Sequence, residues 1–263
     1  MIVVLTALEV EHEAVRAHLR DLRPHHHRAG TVFEVGHPAG RADRPVALAG
    51  IGRGAATAAT ATERAIAEFA PAAVLFVGVA DALRPWVRLG DVVVATKVHG
   101  AGSRAWETSH GLVQLARHVS RTRAWPEPVD LVGSVHFEPI AAGGSHRDHP
   151  GADDAVAVEP EGAVDAGHLH PGTPTIAIRG IGGTGDGTGA ATDAEGWPAI
   201  AAANAAAFAL GLAVAVDPTG TAERRAEAVP PAVHNEAHGN AAVQAQIGVV
   251  HGGIVFNRSP DGT

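Results

Sequence analysis

Short β-branched apolar runs alternate along the chain with stretches whose apolar residues recur at helical spacing. Residues 2–6, Ile-Val-Val-Leu-Thr, read as a buried strand. From Glu9 the period lengthens: Val15, Leu19 and Leu22 fall at helical spacing, and Pro24 ends that segment. Val32 and Val35, then residues 46–49, predict two further strands with a Gly/Pro/Arg turn between them. Gly50-Ile51-Gly52-Arg53-Gly54 breaks the pattern and opens an alanine-rich helix over about 55–69. Strands follow at 74–77 and 90–95, then a helix over about 109–125 with Leu112, Leu115 and Val119 on one face. Strand-like stretches near 131–140, 155–158 and 175–179 alternate with helices at 161–169 and about 197–215. Such alternation predicts an α/β fold with a mostly parallel sheet covered on both faces. Ligands of these sheets lie beyond the carboxyl ends of the strands, which directs attention to the loops after residues 6, 49, 78, 158 and 179.

Composition narrows the field. The chain has 263 residues, 46% hydrophobic and 18% charged, which suits one large α/β domain or two small ones and argues against wholesale disorder. A net charge of −8 argues against a nucleic-acid binder or a membrane-surface binder. No cysteine is present, so disulfides, thiol nucleophiles and thiolate metal sites are excluded. No apolar run is expected to approach the roughly 18 residues of a membrane span, and the start lacks a basic leader, so the expected location is cytoplasmic. After Val216 the texture turns to Pro, Gly, Glu and Arg. The expected organisation is a domain at 1–215, a linker at 216–233 and a tail at 234–263.

Several motifs look like chemistry and fail on context. Gly180-Ile181-Gly182-Gly183-Thr184-Gly185 is formally G-x-G-x-x-G after a strand, but the glycines run on to Gly189 and the next helix waits until about Asp193, its expected N-cap. This segment reads as a flexible loop over an active site. His25-His26-His27 and the pairs His146/His149 and His168/His170 read as solvated surface, so neither metal nor cofactor is expected. The Gly50–Gly54 turn admits two readings, an anion held at the first turn of the following helix or a tight connection needing small residues. Carboxylates at strand ends say more. Glu9 and Glu11 follow the first strand, Glu159 and Glu161 follow another, and Arg179 ends a third. Carboxylates converging from separate strands bind a vicinal diol and provide a base for water. The alternative is that they are helix-start residues favoured by the dipole.

Taken in order, these stretches resemble the purine nucleoside phosphorylase and methylthioadenosine/adenosylhomocysteine nucleosidase superfamily. The matching pieces are Leu5-Thr6-Ala7-Leu8-Glu9-Val10-Glu11, Ala49-Gly50-Ile51-Gly52, Gly78-Val79-Ala80, Leu89-Gly90-Asp91-Val92-Val93, Val158-Glu159-Pro160-Glu161-Gly162 and Ile178-Arg179-Gly180-Ile181. The resemblance implies a three-layer αβα sandwich around a mostly parallel mixed sheet, and hydrolysis of a purine nucleoside or nucleotide at its N-glycosidic bond. It implies Glu11 as the water-activating carboxylate, Glu161 on the ribose hydroxyls, and Arg179 beside water and ribose. Gly50, Gly78, Val79, Glu159 and Pro160 are implied as further substrate-binding positions, with Pro160 where a methionine usually lies under the sugar. A homo-oligomer is also implied. Two departures stand out. The purine-protonating aspartate of the family falls on Gly183, leaving Asp186 as the candidate acid, and the Gly-Gly after Ala80 is Asp81-Ala82.

The tail carries a second resemblance. Residues 234–257, with Val243-Gln244-Ala245-Gln246-Ile247-Gly248-Val249-Val250-His251-Gly252-Gly253, are similar to amyloid signalling motifs related to the RIP homotypic interaction motif. A proline-free, weakly charged β-prone stretch is what cross-β stacking needs. The second functional reading is therefore a catalytically degenerate signalling protein that assembles through its tail.

Overall fold

Strand β1 (Ile2–Thr6) is buried along its whole length because both its faces are covered. Val3 and Leu5 pack with Ala58, Ala61 and Ala65 of α2 (Ala55–Phe69). Ile2 and Val4 face the opposite layer. There they join Val15 of α1 (Glu9–Arg16), Leu112 and Val119 of α3 (His110–Thr122), and Phe208 and Leu212 of α4 (Trp197–Ala215). The result is a three-layer α/β sandwich. The computed structural model describes residues 1–100, 104–126, 133–144, 153–164, 172–184 and 195–217, all inside one compact unit, Met1–Thr219. The expected linker beyond 217, the tail at 234–263, and most of the helix expected at 161–169 lie outside the described residues.

The sheet has a parallel centre: β4 (Val46–Gly50), β1, β5 (Ala73–Ala82) and β10 (Thr175–Thr184) run side by side in the same direction. On one flank β3 (Val32–Pro38) and β2 (Leu19–His26) continue it antiparallel. On the other flank the strands close up. β10 pairs antiparallel with β6 (Val92–His99), β6 runs parallel to β8 (Val135–Ala142), and β8 runs parallel to β9 (Ala157–Glu159). β9 then returns to β5, antiparallel, at Asp81 and Ala82. Five strands thus form a closed ring that shares β5 with the open part of the sheet. The three-residue β7 (Ala105–Glu107), which the hydrophobic pattern did not signal, pairs only with β6.

Three sequence expectations are corrected. The helix foreseen from Glu9 through Leu22 stops at Arg16, and Leu19–His26 is strand β2. Pro24 sits in it because β2 is an edge, where a missing N–H costs no ladder bond. A register shift between Arg20 and Arg23 accompanies Asp21 at φ 54°. Next, the glycine run after Arg179 is not a loop as far as Thr184. It is the buried end of β10, and a side chain at Gly180 would strike the Ala201 carbonyl of α4, while one at Gly182 would meet Pro198 Cα at 3.0 Å. Those glycines let α4 lie close on the sheet. Lastly, α4 is itself an apolar run of 19 residues with mean hydropathy 1.8, long enough for a membrane span by length and composition. Its alanines are spent on the interior: residues from Ala201 to Ala213 are almost all buried against β10, β5, α1 and α3. Gly196 (φ 77°) occupies its N-cap position, and Asp193 lies outside the described residues.

Candidate active site

The site forms at a gap in the ladder of β5. Strand β1 pairs with β5 only as far as Leu5↔Phe76, and β9 takes up the same edge only at Asp81. Between them Val79 donates its N–H not to a strand but to Glu11 Oε1, at 2.8 Å. The other oxygen of Glu11 accepts the amides of Ala7 and Leu8 at 2.8 and 2.9 Å, the reciprocal half of a capping box that starts α1. Glu11 therefore starts α1 and lines the gap at once. It is 1% exposed and held by three backbone donors.

Arg179 reaches the same gap from the opposite edge of β5, where its backbone is in register with Gly78. Its guanidinium lies 3.9 Å from Glu11 Oε1 through Nη1 and 3.9 Å from Glu159 Oε1 through Nη2. Gly78 is small for this reason, since an added Cβ would collide with Arg179 Nη1 and Glu11 Oε1. Glu159 ends β9 fully buried, and Glu161 follows in the next turn, its carboxylate 3.4 Å from the exposed Arg53. The Gly50–Gly54 turn is tied down here too, because Gly54 N–H donates to the Glu161 carbonyl at 2.8 Å.

Three carboxylates thus crowd one buried guanidinium. Burial pushes the Glu159 carboxyl above the ordinary range, against the pull of Arg179. Glu161 is raised as well, by burial and then by the neighbouring charge of Glu11. Among the described residues Glu159 Oε2, Glu161 Oε2, Arg179 Nε and Arg179 Nη1 are buried without a hydrogen-bond partner. Each such atom costs on the order of 1–3 kcal/mol. Acceptors and donors left open at one point are the requirement for gripping a polar molecule.

Of the residues expected from sequence, Glu11, Gly78, Val79, Glu159, Glu161 and Arg179 are brought together. Gly50 ends β4 in a neighbouring hollow lined by Ala7, Leu8, His12 and Gly52, with its Cβ direction 3.5 Å from His12 Nδ1. Pro160 is exposed in the turn between the two glutamates, and Asp186 lies outside the described residues. The sequence reading gives no substrate-site role to His12, which bridges Thr6 and Glu34, nor to Arg53 beyond its place in a turn. No group of three His, Asp or Glu able to hold a metal occurs among the described residues.

With this geometry in place, comparisons with known proteins become informative. Residues 1–135 match the family model described as the phosphorylase superfamily. No curated protein matches the sequence. Among solved structures, the chain is similar to a 5′-methylthioadenosine/S-adenosylhomocysteine nucleosidase from Colwellia psychrerythraea in complex with adenine. That likeness has 22% identity and a TM-score of 0.70, covering 82% of this chain and 95% of the other. The corresponding nucleosidase from Neisseria meningitidis, in complex with methylthio-immucillin-A, is 23% identical with a TM-score of 0.65, covering 80% and 97%. The futalosine hydrolase of Helicobacter pylori is 22% identical with a TM-score of 0.66, covering 80% and 96%. At such identities the likeness speaks to the fold.

Proposed function

The chain belongs to the phosphorylase superfamily, and from that premise we propose that it hydrolyses the N-glycosidic bond of a purine nucleoside or nucleotide. The observation that carries the reading is the cluster of Glu11, Arg179, Glu159 and Glu161, whose buried polar atoms lack protein partners among the described residues. A water between Glu11 Oε1 and Arg179 Nη1 bridges two groups 3.9 Å apart. Glu11 takes its proton as the oxygen adds to C1′. Glu161 and Glu159 offer acceptors to the ribose hydroxyls. As the bond to the base lengthens, the ribose gains oxocarbenium character, and carboxylates fixed in a buried site stabilise that charge more than they stabilise the neutral substrate. The nucleosidase fold shared with proteins that bind adenine and nucleoside analogues supports the choice of substrate.

The direct test is chromatography of protein incubated with methylthioadenosine, adenosylhomocysteine, adenosine, inosine or ATP, with and without phosphate. Free base without phosphate is expected from at least one, and Glu11→Gln should slow its release by about 10²- to 10⁴-fold. Release that requires phosphate would make the reaction a phosphorolysis. No base from any substrate, or an unaffected Glu11→Gln variant, refutes the proposal.

A further inference from the structure

The three carboxylates of the site are held in different ways. Glu11 is fixed by three backbone donors, and Glu159 ends a strand. Glu161 follows in a turn, and one short segment grips it, the Gly50–Gly54 turn that leads into α2. Gly54 N–H donates to the Glu161 carbonyl at 2.8 Å, and Arg53 Nη1 lies 3.4 Å from Oε1 of its side chain. Adjacent residues thus hold the main chain and the side chain of the same glutamate. The grip needs backbone that favours glycine: Gly52 and Gly54, on either side of Arg53, have φ of 68° and 102°. The Arg53 side chain is 73% exposed and that of Glu161 4%, so the cation stands outside and the carboxylate inside. Oε2 of Glu161 stays buried and unpartnered. Four charged groups face this carboxylate: Glu11 from α1, Glu159 from β9, Arg179 from β10 and Arg53 from the turn. Arg179 is shared, standing 3.9 Å from both Glu11 and Glu159. Among the described residues the Arg53 guanidinium pairs with Glu161 alone.

We propose that Arg53 is a positioning residue: set in place by the glycine turn, its guanidinium fixes the Glu161 carboxylate as the acceptor of the ribose hydroxyls. The inference rests on the hydrolase reading above. Burial and the charge of Glu11 both favour a proton on Glu161, and Arg53 opposes it. A protonated carboxyl gives up acceptor capacity and no longer offsets positive charge on the ribose. The test uses the full chain and the nucleoside or nucleotide that the wild type accepts. Arg53→Gln should lower kcat/KM near neutral pH by about two- to fivefold, the range of an exposed ion pair. It should also move the acidic limb of the pH profile to higher pH, because the cation that resists protonation of Glu161 is gone. Arg53→Lys keeps the charge and should restore both. Added to Glu161→Gln, Arg53→Gln should cost nothing further, since the group it acts on is no longer charged. An unmoved acidic limb, or an equal loss with and without the Glu161 carboxylate, would show that Arg53 merely shapes the turn. A loss confined to phosphorylated substrates and persisting in Glu161→Gln would make Arg53 a phosphate contact instead. Each of these results overturns the proposal and leaves the hydrolase reading intact. Absence of turnover by the wild type overturns the hydrolase reading, and this inference with it.

Discussion

Replacing Gly78 with alanine adds one methyl group at the tightest point of the site. The new carbon falls on Arg179 Nη1 and Glu11 Oε1, and both side chains are 1% exposed, so neither can swing into solvent. Non-bonded atoms settle near 3.5 Å, which obliges the two groups to retreat by about 1 Å or more. Glu11 cannot retreat without losing a bond to Ala7, Leu8 or Val79. A displacement of about 1 Å in a reacting group costs roughly 10²-fold in rate, and overpacking costs about 1–3 kcal/mol of stability. The expected phenotype is therefore a fall of about 10²-fold in kcat/KM for base release, with Tm lowered by about 2–4 °C per kcal/mol. Gly211→Ala is the control, because its added carbon meets Trp125 Cβ at 2.5 Å and the Ala124 carbonyl at 2.6 Å, where α4 passes the chain that follows α3. It should lower Tm comparably and leave kcat/KM near the wild-type value. If Gly78→Ala destabilised the protein yet kept kcat/KM within about threefold, the Glu11–Arg179 geometry would not be the reacting one.

Two further substitutions probe the interior. The Glu159 carboxyl is raised chiefly by burial, so the folded chain binds its proton more tightly than the unfolded chain does. That contribution is complete below the ordinary value of 4.5 and is lost as pH rises through the folded value. Glu159→Gln should match the wild type near pH 4 and exceed it progressively toward pH 8, and Tm measured across that range would contradict the assignment if the difference ran the other way. Phe208 is fully buried and meets Trp125 edge-on at 5.3 Å between centroids, so Phe208→Ala should cost about 3–5 kcal/mol in urea unfolding, a loss below about 1 kcal/mol speaking against a packed α3–α4 contact.

How far the sequence discloses this arrangement depends on whether the signal is local. Helix α2 is legible to the residue, since Gly54 opens it and its alanines continue to Phe69. The same is true of α4, whose bounds follow from an apolar run broken only by Asn204. Helix α1 is misread at its end because Leu19 and Leu22 satisfy a helical period by chance while their backbone is claimed by β3, a long-range partner that periodicity does not see. The glycine run after Arg179 looks like a loop for a related reason. Its meaning lies in how near α4 passes, which only the packing reveals. At the site, the charged residues stand out by their place after strands, and ordered resemblance gives them roles. Arg53 reaches Glu161 through a turn whose direction the sequence does not encode.

The closed ring of strands leaves the sheet with few free margins. Were β6, β8 and β9 to end as an open flank, their last strand would offer a row of unpaired amides and carbonyls to any extended peptide. Returning β9 to β5 removes that invitation on one side. On the other side the margin is β2, which is studded with Arg20, Asp21, Arg23 and His25, interrupted by Pro24, and kinked at Asp21. Charge, proline and a broken register each discourage a new strand from docking there. Apart from the three residues of β7, the described domain is thus insulated against growth by strand addition at both margins, by closure on one and by composition on the other. Growth of this domain through β-pairing is therefore closed off at the two places where a sheet ordinarily recruits a new strand.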